Sequence, residues 1–231
     1  MHTFRQLLAL FALCLGLIMT PAHAETFHTC GTIIASIPTV ITTQGVYCLS
    51  HDVSTAITSG KAIDVQTNNV TIDCNGYKIG GLAAGTSSQT YGIFALSRQN
   101  ITVRNCGVRG FLQAVHISNG AGNLIEDNRL DNNLWVGMYV GGDNNRVRRN
   151  AIYDTGGSPG LSESIGMSIS ADAVDNTVAG LFATGGDPAN VGIFMNGDGT
   201  EARGNQIHGL TTSGAGTVTG IQATAIGVTV R

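Results

Sequence analysis

The chain has 231 residues, a formal net charge of −3, only 12% charged side chains and 32 glycines. It contains no run of like charge, so neither nucleic acid nor an anionic membrane surface is expected as a partner through bulk electrostatics. Glycine and asparagine are plentiful, and both favour turns over helix interiors, so strands and turns must dominate.

Residues 1–24 read as a secretory signal: Arg5 supplies a positive start, Leu7 to Met19 is apolar, and Ala22-His23-Ala24 offers small residues for cleavage. The apolar run is short for a permanent span. Leu13 before Cys14 is too large for lipoprotein processing, so no membrane anchor is expected and the product is predicted to be secreted or periplasmic. Losing Arg5 with the signal leaves 11 basic and 15 acidic side chains, a net charge of −4. Four cysteines remain, Cys30, Cys48, Cys74 and Cys106. An even number in an exported chain favours two disulfides among three possible connectivities.

Two short patterns then alternate along the chain. The first is a small residue followed by alternating apolar positions, and it starts at Ala62, Gly92, Ala114, Gly137, Gly166, Gly192 and Gly220. The second is an apolar residue, two variable ones, usually Asn, then a variable and an apolar residue. It runs Ile72-Asn75-Tyr77, Val103-Cys106-Val108, Ile125-Asn128-Leu130, Val147-Asn150-Ile152, Val178-Leu181-Ala183 and Ala202-Asn205-Ile207, in steps of 31, 22, 22, 31 and 24 residues. Each copy has the period of two that marks a half-buried strand. Strands at this spacing, joined by turns too short for crossover helices, bury their apolar faces only by stacking coil upon coil. Asn75, Asn128, Asn150 and Asn205 then form an inward amide column, interrupted by Cys106 and Leu181. The same register stacks Asp73, Arg104, Glu126 and Arg148 outward, and sets Asp127 beside Arg149 and Arg109 beside Asp131. The expected disulfides are Cys30–Cys48 and Cys74–Cys106. The second follows from register, since Cys106 occupies the Asn75 position one coil on, with Cys74 as its diagonal neighbour at about 5.5 to 6 Å.

On these repeats the chain resembles the right-handed parallel β-helix proteins, the architecture of pectate lyases, polygalacturonases, alginate epimerases and many phage and surface proteins. The resemblance implies an all-β, single-stranded parallel solenoid of about seven coils over residues 61–231. Residues 25–60, with Cys30, Pro38, Gly45 and Cys48, would form an N-terminal cap. Val228-Thr229-Val230-Arg231 repeats Ile101-Thr102-Val103-Arg104, so the last residues are expected to form a strand of a further coil with no evident cap, open to self-association.

Short catalytic motifs of such enzymes are not matched. The Asn-Thr-Asp, Asp-Asp and Gly-His-Gly elements of polygalacturonase-like enzymes do not occur, and the Asp-Pro-His of epimerases meets only Asp187-Pro188-Ala189. Pectate lyases, with calcium-binding carboxylates and an arginine base, offer no short motif to test. Catalytic residues are therefore unassigned. Insertions at residues 80–91 and 154–165 should rise on either side of a lower stretch and define a groove. Its floor would carry outward Phe94, His116 and Tyr139 about 4.8 Å apart, with Trp135 in the adjoining turn. Aromatic faces at that spacing can take sugar rings; alternatively the residues simply stabilise neighbouring coils and Trp135 plugs a core corner. Asp143, Asp172 and Asp198 each fall six residues after the start of their pattern. As a column they suggest Ca2+; individually they suggest turn-opening aspartates. The leading expectation is an exported scaffold that contacts polysaccharide. A lyase, epimerase or hydrolase acting on acidic polysaccharide, or a surface adhesin or assembly module, are the alternatives.

Overall fold

In the computed structural model, residues 30–184, 188–212 and 215–231 are described. The expected signal segment and Asp187 lie outside them. The chain winds as a parallel solenoid with three strand faces. On the first face, strands Thr39–Ile41, Ser59–Val65, Gln89–Leu96 and Gln113–Ala121 are followed by the starts of Val136–Arg148 and Glu163–Val174, then by Ala189–Met195 and Thr217–Ala223. The second face takes Gly45–Cys48, Val70–Asp73, Ile101–Arg104 and Leu124–Glu126, the ends of the two long strands, Glu201–Arg203 and Thr229–Val230. The third is a seven-stranded sheet running from Val53–Ser54 to Gln206–His208, which sets the number of coils at seven. All pairing between successive coils is parallel.

All seven copies of the first pattern stack in register, with Ile63, Ile93, Val115, Met138, Met167, Ile193 and Ile221 in one column. The first six members are fully buried, each contributing about 2 kcal/mol relative to exposure. Packing forces the glycine before the column residue at Gly92, Gly137, Gly166 and Gly192, though not at Gly220, where a Cβ would meet nothing. A Cβ on Gly137 would lie 2.6 Å from both the Gly166 carbonyl and a methyl of Ile152.

The second pattern differs at two copies. Ala173, not Val178, stands in register with Val147 and Ala202, so the coil reads Ala173-Asn176-Val178. Val178 belongs to the third face, over Ile152 and under Ile207. At the first copy, Ile79 rather than Tyr77 lies under Val108. There Asn75 (φ 51°) and Gly76 (φ 83°) both take left-handed backbone and lengthen the corner.

The amide column consequently runs Asn128, Asn150, Asn176 and Asn205. Each of the first three Nδ2 groups donates to the next Oδ1 at 3.0 to 3.1 Å, and all four donate to a backbone carbonyl of the preceding coil. Each Oδ1 also accepts a backbone N–H from the coil before. Left-handed residues Asp127, Arg149 and Asp175 bend the chain just ahead of it. Asn75 is excluded and donates to the Leu49 carbonyl instead. A second ladder, Asn123 to Asn145, turns the preceding corner. Outside the core, Asp73–Arg104, Glu126–Arg148, Asp127–Arg149 and Asp131–Arg109 pair as the register requires.

Disulfides join Cys30 to Cys48 and Cys74 to Cys106. The latter pair's Cα separation of 4.7 Å is a direct stack, tighter than the diagonal contact expected. Residues 39–54 already supply all three strands of a coil, so the solenoid begins inside the segment expected as a cap, with Thr32–Ile33 pairing one strand further out. At the far end, Val230 pairs with Ala202, and Val218, Ile226 and Val230 are exposed.

Candidate functional site

The outward column of the first face reads Asp64, Phe94, His116, Tyr139, Ser168, Phe194 and Gln222. Turn lengths set the ground around it. Residues 110–112 and 132–135 join the third face to the first directly, whereas residues 81–88, with a short 3-10 turn at Leu82–Ala84, and residues 154–162 form longer loops on either side. The low turn at 110–112 is fixed from below. Phe111 is fully buried and plugs the corner, and a Cβ on Gly81 would lie 2.7 Å from its ring. Phe111 thus fills the plugging role open to Trp135.

Phe94, His116 and Tyr139 come together as one stack. Phe94 and His116 are 5.0 Å apart and 5° from parallel; His116 and Tyr139 are 4.8 Å apart and 12° from parallel. Lys61 Nζ, paired with Asp64 at 3.0 Å, lies 4.0 Å over the Phe94 ring. The faces of Phe94 and His116 are thereby occupied, and these rings present their edges outward. A sugar cannot lie flat on these two, so the faces the column was expected to offer are closed at Phe94 and His116, while Tyr139 is stacked on one side only.

The missing face comes from Tyr91, which the sequence reading passed over. Its ring sits 5.2 Å from Phe94 at 63° and 5.1 Å from His116 at 68°. Parallel rings whose faces are covered can be reached together only at their edges. Tyr91 therefore lies across both edges and turns its other face away from the stack. The period of two could not reveal it, since a residue three before the outward Phe94 should alternate inward; it stands at the start of the strand, in register with Gln113.

Trp135 is not part of the stack. Its backbone N–H donates to the Leu112 carbonyl, which places it in the low turn beside Gln113, and its indole N–H donates to Glu163 at 3.1 Å. The ring is partly exposed.

His116 is held along its own strand. Its Nδ1 is 2.7 Å from Gln113 Oε1 and its Nε2 is 3.2 Å from Ser118 Oγ. An amide oxygen only accepts, so Nδ1 carries the proton and Nε2 is the bare nitrogen that accepts the Ser118 hydroxyl. Burial between the rings disfavours the charged form and lowers the imidazole pKa to about 4. The strand bulges just beyond, between Ile117 and Gly120, where Asn119 takes left-handed backbone at φ 54°. Such a bulge re-aims neighbouring side chains.

The aspartates do not form the expected column. Asp143 stands over Ala121, while Asp172 stands over Arg146, because the strand Val136–Arg148 carries extra residues at its corner: Val140 pairs with Ile169 but Asn145 with Ala171. Asp172 accepts the Glu201 N–H and Asp198 the Ile226 N–H, each bracing the following coil. A corner groove of about 550 Å³ includes Asp172 and Asp198, and an adjoining one of about 510 Å³ includes Asp143 and Asp198. Among the described residues no group of three His, Cys, Asp or Glu side chains is placed to hold a metal ion. Among them, too, no helix is long and apolar enough to cross a membrane.

Residues 44–207 match the family described as a right handed beta helix region. No curated protein and no solved structure matches the chain.

Proposed function

We propose that this chain, which belongs to the right-handed β-helix family, is an exported protein that binds a polysaccharide on the outer surface of its first face, over the low turns at residues 110–112 and 132–135. The observation that carries this reading is the pairing of one outward aromatic face with an adjacent hydrogen-bonding edge. Tyr91 turns a face away from the stack, and Gln113, His116 and Ser118 line the strand beside it. Apolar ring faces with a few placed polar groups are what a sugar site requires. The two long flanking loops give the strip its walls. Charged groups beside the stack are engaged with neighbours, Lys61 with Asp64 and Glu163 with Trp135, which favours binding over acid–base turnover.

Affinity electrophoresis through gels containing single polysaccharides tests the reading. A polymer that retards the parent should retard Tyr91→Ala and Trp135→Ala far less, with unchanged far-ultraviolet circular dichroism. Equal retardation of parent and variants would remove the first face as the binding surface.

A further inference from the structure

We infer, building on the glycan-binding reading above, that the site selects an uncharged, hydroxyl-bearing sugar and turns away a uronate, because the hydrogen-bond relay at its centre ends on an acceptor. The direction of the relay is set at its inner end. Gln113 Oε1 can only accept, so the proton between it and His116 sits on Nδ1. The bare Nε2 must then receive the Ser118 hydroxyl proton. That leaves Ser118 Oγ with lone pairs and no proton to offer outward. Each link polarises the next, so the terminal oxygen is a stronger acceptor than an isolated serine.

A sugar hydroxyl completes this chain as donor. The ring hydroxyls of a uronate can donate in the same way, but its carboxylate has only lone pairs, finds no donor at Ser118 and loses water that goes unreplaced. The nearby cation gives it no anchor, since Lys61 is paired with Asp64 and packed over Phe94. The groups facing His116 from the coils on either side are uncharged: Phe94 and Tyr91 before it and Tyr139 after it. The relay is therefore held in one direction at neutral pH. Protonation of the imidazole, at a pH near 4, would reverse it, with Nε2–H donating to Ser118 Oγ and the serine hydroxyl turned outward as a donor.

The test is isothermal titration of the mature chain with neutral hexasaccharides of glucan, galactan and arabinan, and with hexamers of galacturonate and guluronate, at pH 7 and at two salt concentrations. The best neutral ligand should bind at least about tenfold more tightly than either uronate, the worth of one hydrogen bond with its unmet partner. His116→Phe keeps a flat ring in the stack but deletes the relay, and should lose about tenfold for the neutral ligand. Gln113→Met should lose a similar amount with His116 intact, and Gln113→Glu, which restores the acceptor, should recover it. If a uronate binds best and Tyr91→Ala still weakens it, the selectivity is refuted while the binding surface stands. If neutral binding ignores His116→Phe and Gln113→Met, the relay is refuted. If no hexamer of either kind binds, the glycan-binding reading falls and this inference with it.

Discussion

Replacing Asn150 with alanine should be far more damaging than the same change at Asn205, although both belong to the same column. Asn150 is 1% exposed. Its Oδ1 accepts from the Asn128 backbone N–H at 3.1 Å and from Asn128 Nδ2 at 3.0 Å, and its Nδ2 donates to the Ile125 carbonyl, the Arg148 carbonyl and Asn176 Oδ1. Asn150→Ala leaves the Asn128 N–H buried without its acceptor, a cost of about 1 to 3 kcal/mol, and deletes further bonds worth about 1 kcal/mol each. Allowing for bonds that re-form, the loss should be about 3 to 5 kcal/mol. Asn205 makes three such bonds near the last coil, where it is only partly buried and water can replace them, so Asn205→Ala should cost about 1 to 2 kcal/mol. Urea unfolding followed by far-ultraviolet circular dichroism measures both, provided each curve is a single transition with the parent's slope, because stacked repeats can lose cooperativity. Equal losses at the two positions, or a loss under about 1 kcal/mol at Asn150, would refute the claim that buried amide columns hold the bends.

Acid should weaken the fold in a window set by His116. Its folded pKa lies near 4, below the ordinary 6.5, so the unfolded chain takes the proton first and stability falls as pH drops from about 6.5 toward 4; His116→Phe should flatten that part of the profile in pH-dependent urea midpoints. Below that window Asp73 takes over. Burial alone would raise its pKa, but hydrogen bonds from the Asn75 backbone N–H and from Asn105 and Arg104 outweigh burial and lower it, so its contribution disappears only below the ordinary carboxylate range. Removing the Cys74–Cys106 bridge with a double alanine variant should cost about 3 to 4 kcal/mol by the loop-entropy relation for a separation of 32 residues, read as a shift in denaturant midpoint against the oxidised parent. Arg149→Ala, by contrast, should cost under about 1 kcal/mol and less at high salt, because Arg149 and Asp127 remain substantially solvated and the buried Glu126 keeps its pair with Arg148.

Where the amino-acid sequence speaks clearly, it does so through residues that the stack cannot exchange. A small residue before Ile, Val or Met was legible at all seven copies of the first pattern, and at Gly92, Gly137, Gly166 and Gly192 even a Cβ would collide with the next coil. Outward charges were legible because Asp73, Arg104, Glu126 and Arg148 alternate in sign along one column. Register failed where the inward residue was unremarkable. Ala173 gives little apolar signal, and Val178 three residues before Leu181 imitated the pattern, hiding Asn176. It failed again where a corner gained residues, as at Asn75-Gly76, since backbone of either hand is open to asparagine and glycine. The aspartate column failed for the same reason: equal spacing from a strand start does not survive a corner of different length.

The candidate site shows why a column of aromatic residues is easier to locate than to interpret. Register places Phe94, His116 and Tyr139 one over another, but the strand spacing of about 4.8 Å is also close to the distance at which flat rings stack. The arrangement that makes the column legible therefore consumes the faces of Phe94 and His116, and a stabilising role competes there with the proposed binding role for the same surfaces. They are reconciled by a residue outside the column. Tyr91 can turn a face outward because it leans on the edges of a stack already in place, and His116 can be kept neutral and directional because the rings above and below shield it while Gln113 and Ser118 fix its two nitrogens. Under the proposed function the stack is the support, and recognition would fall to what stands at its edge. Substitutions within the stack should then act on binding mainly by displacing Tyr91, so Phe94→Leu should weaken glycan binding and stability together, whereas Tyr91→Ala should weaken binding with little change in stability. Parallel measurement of urea midpoints and gel retardation separates the two, and a Phe94→Leu variant that binds like the parent would show that Tyr91 needs no such support.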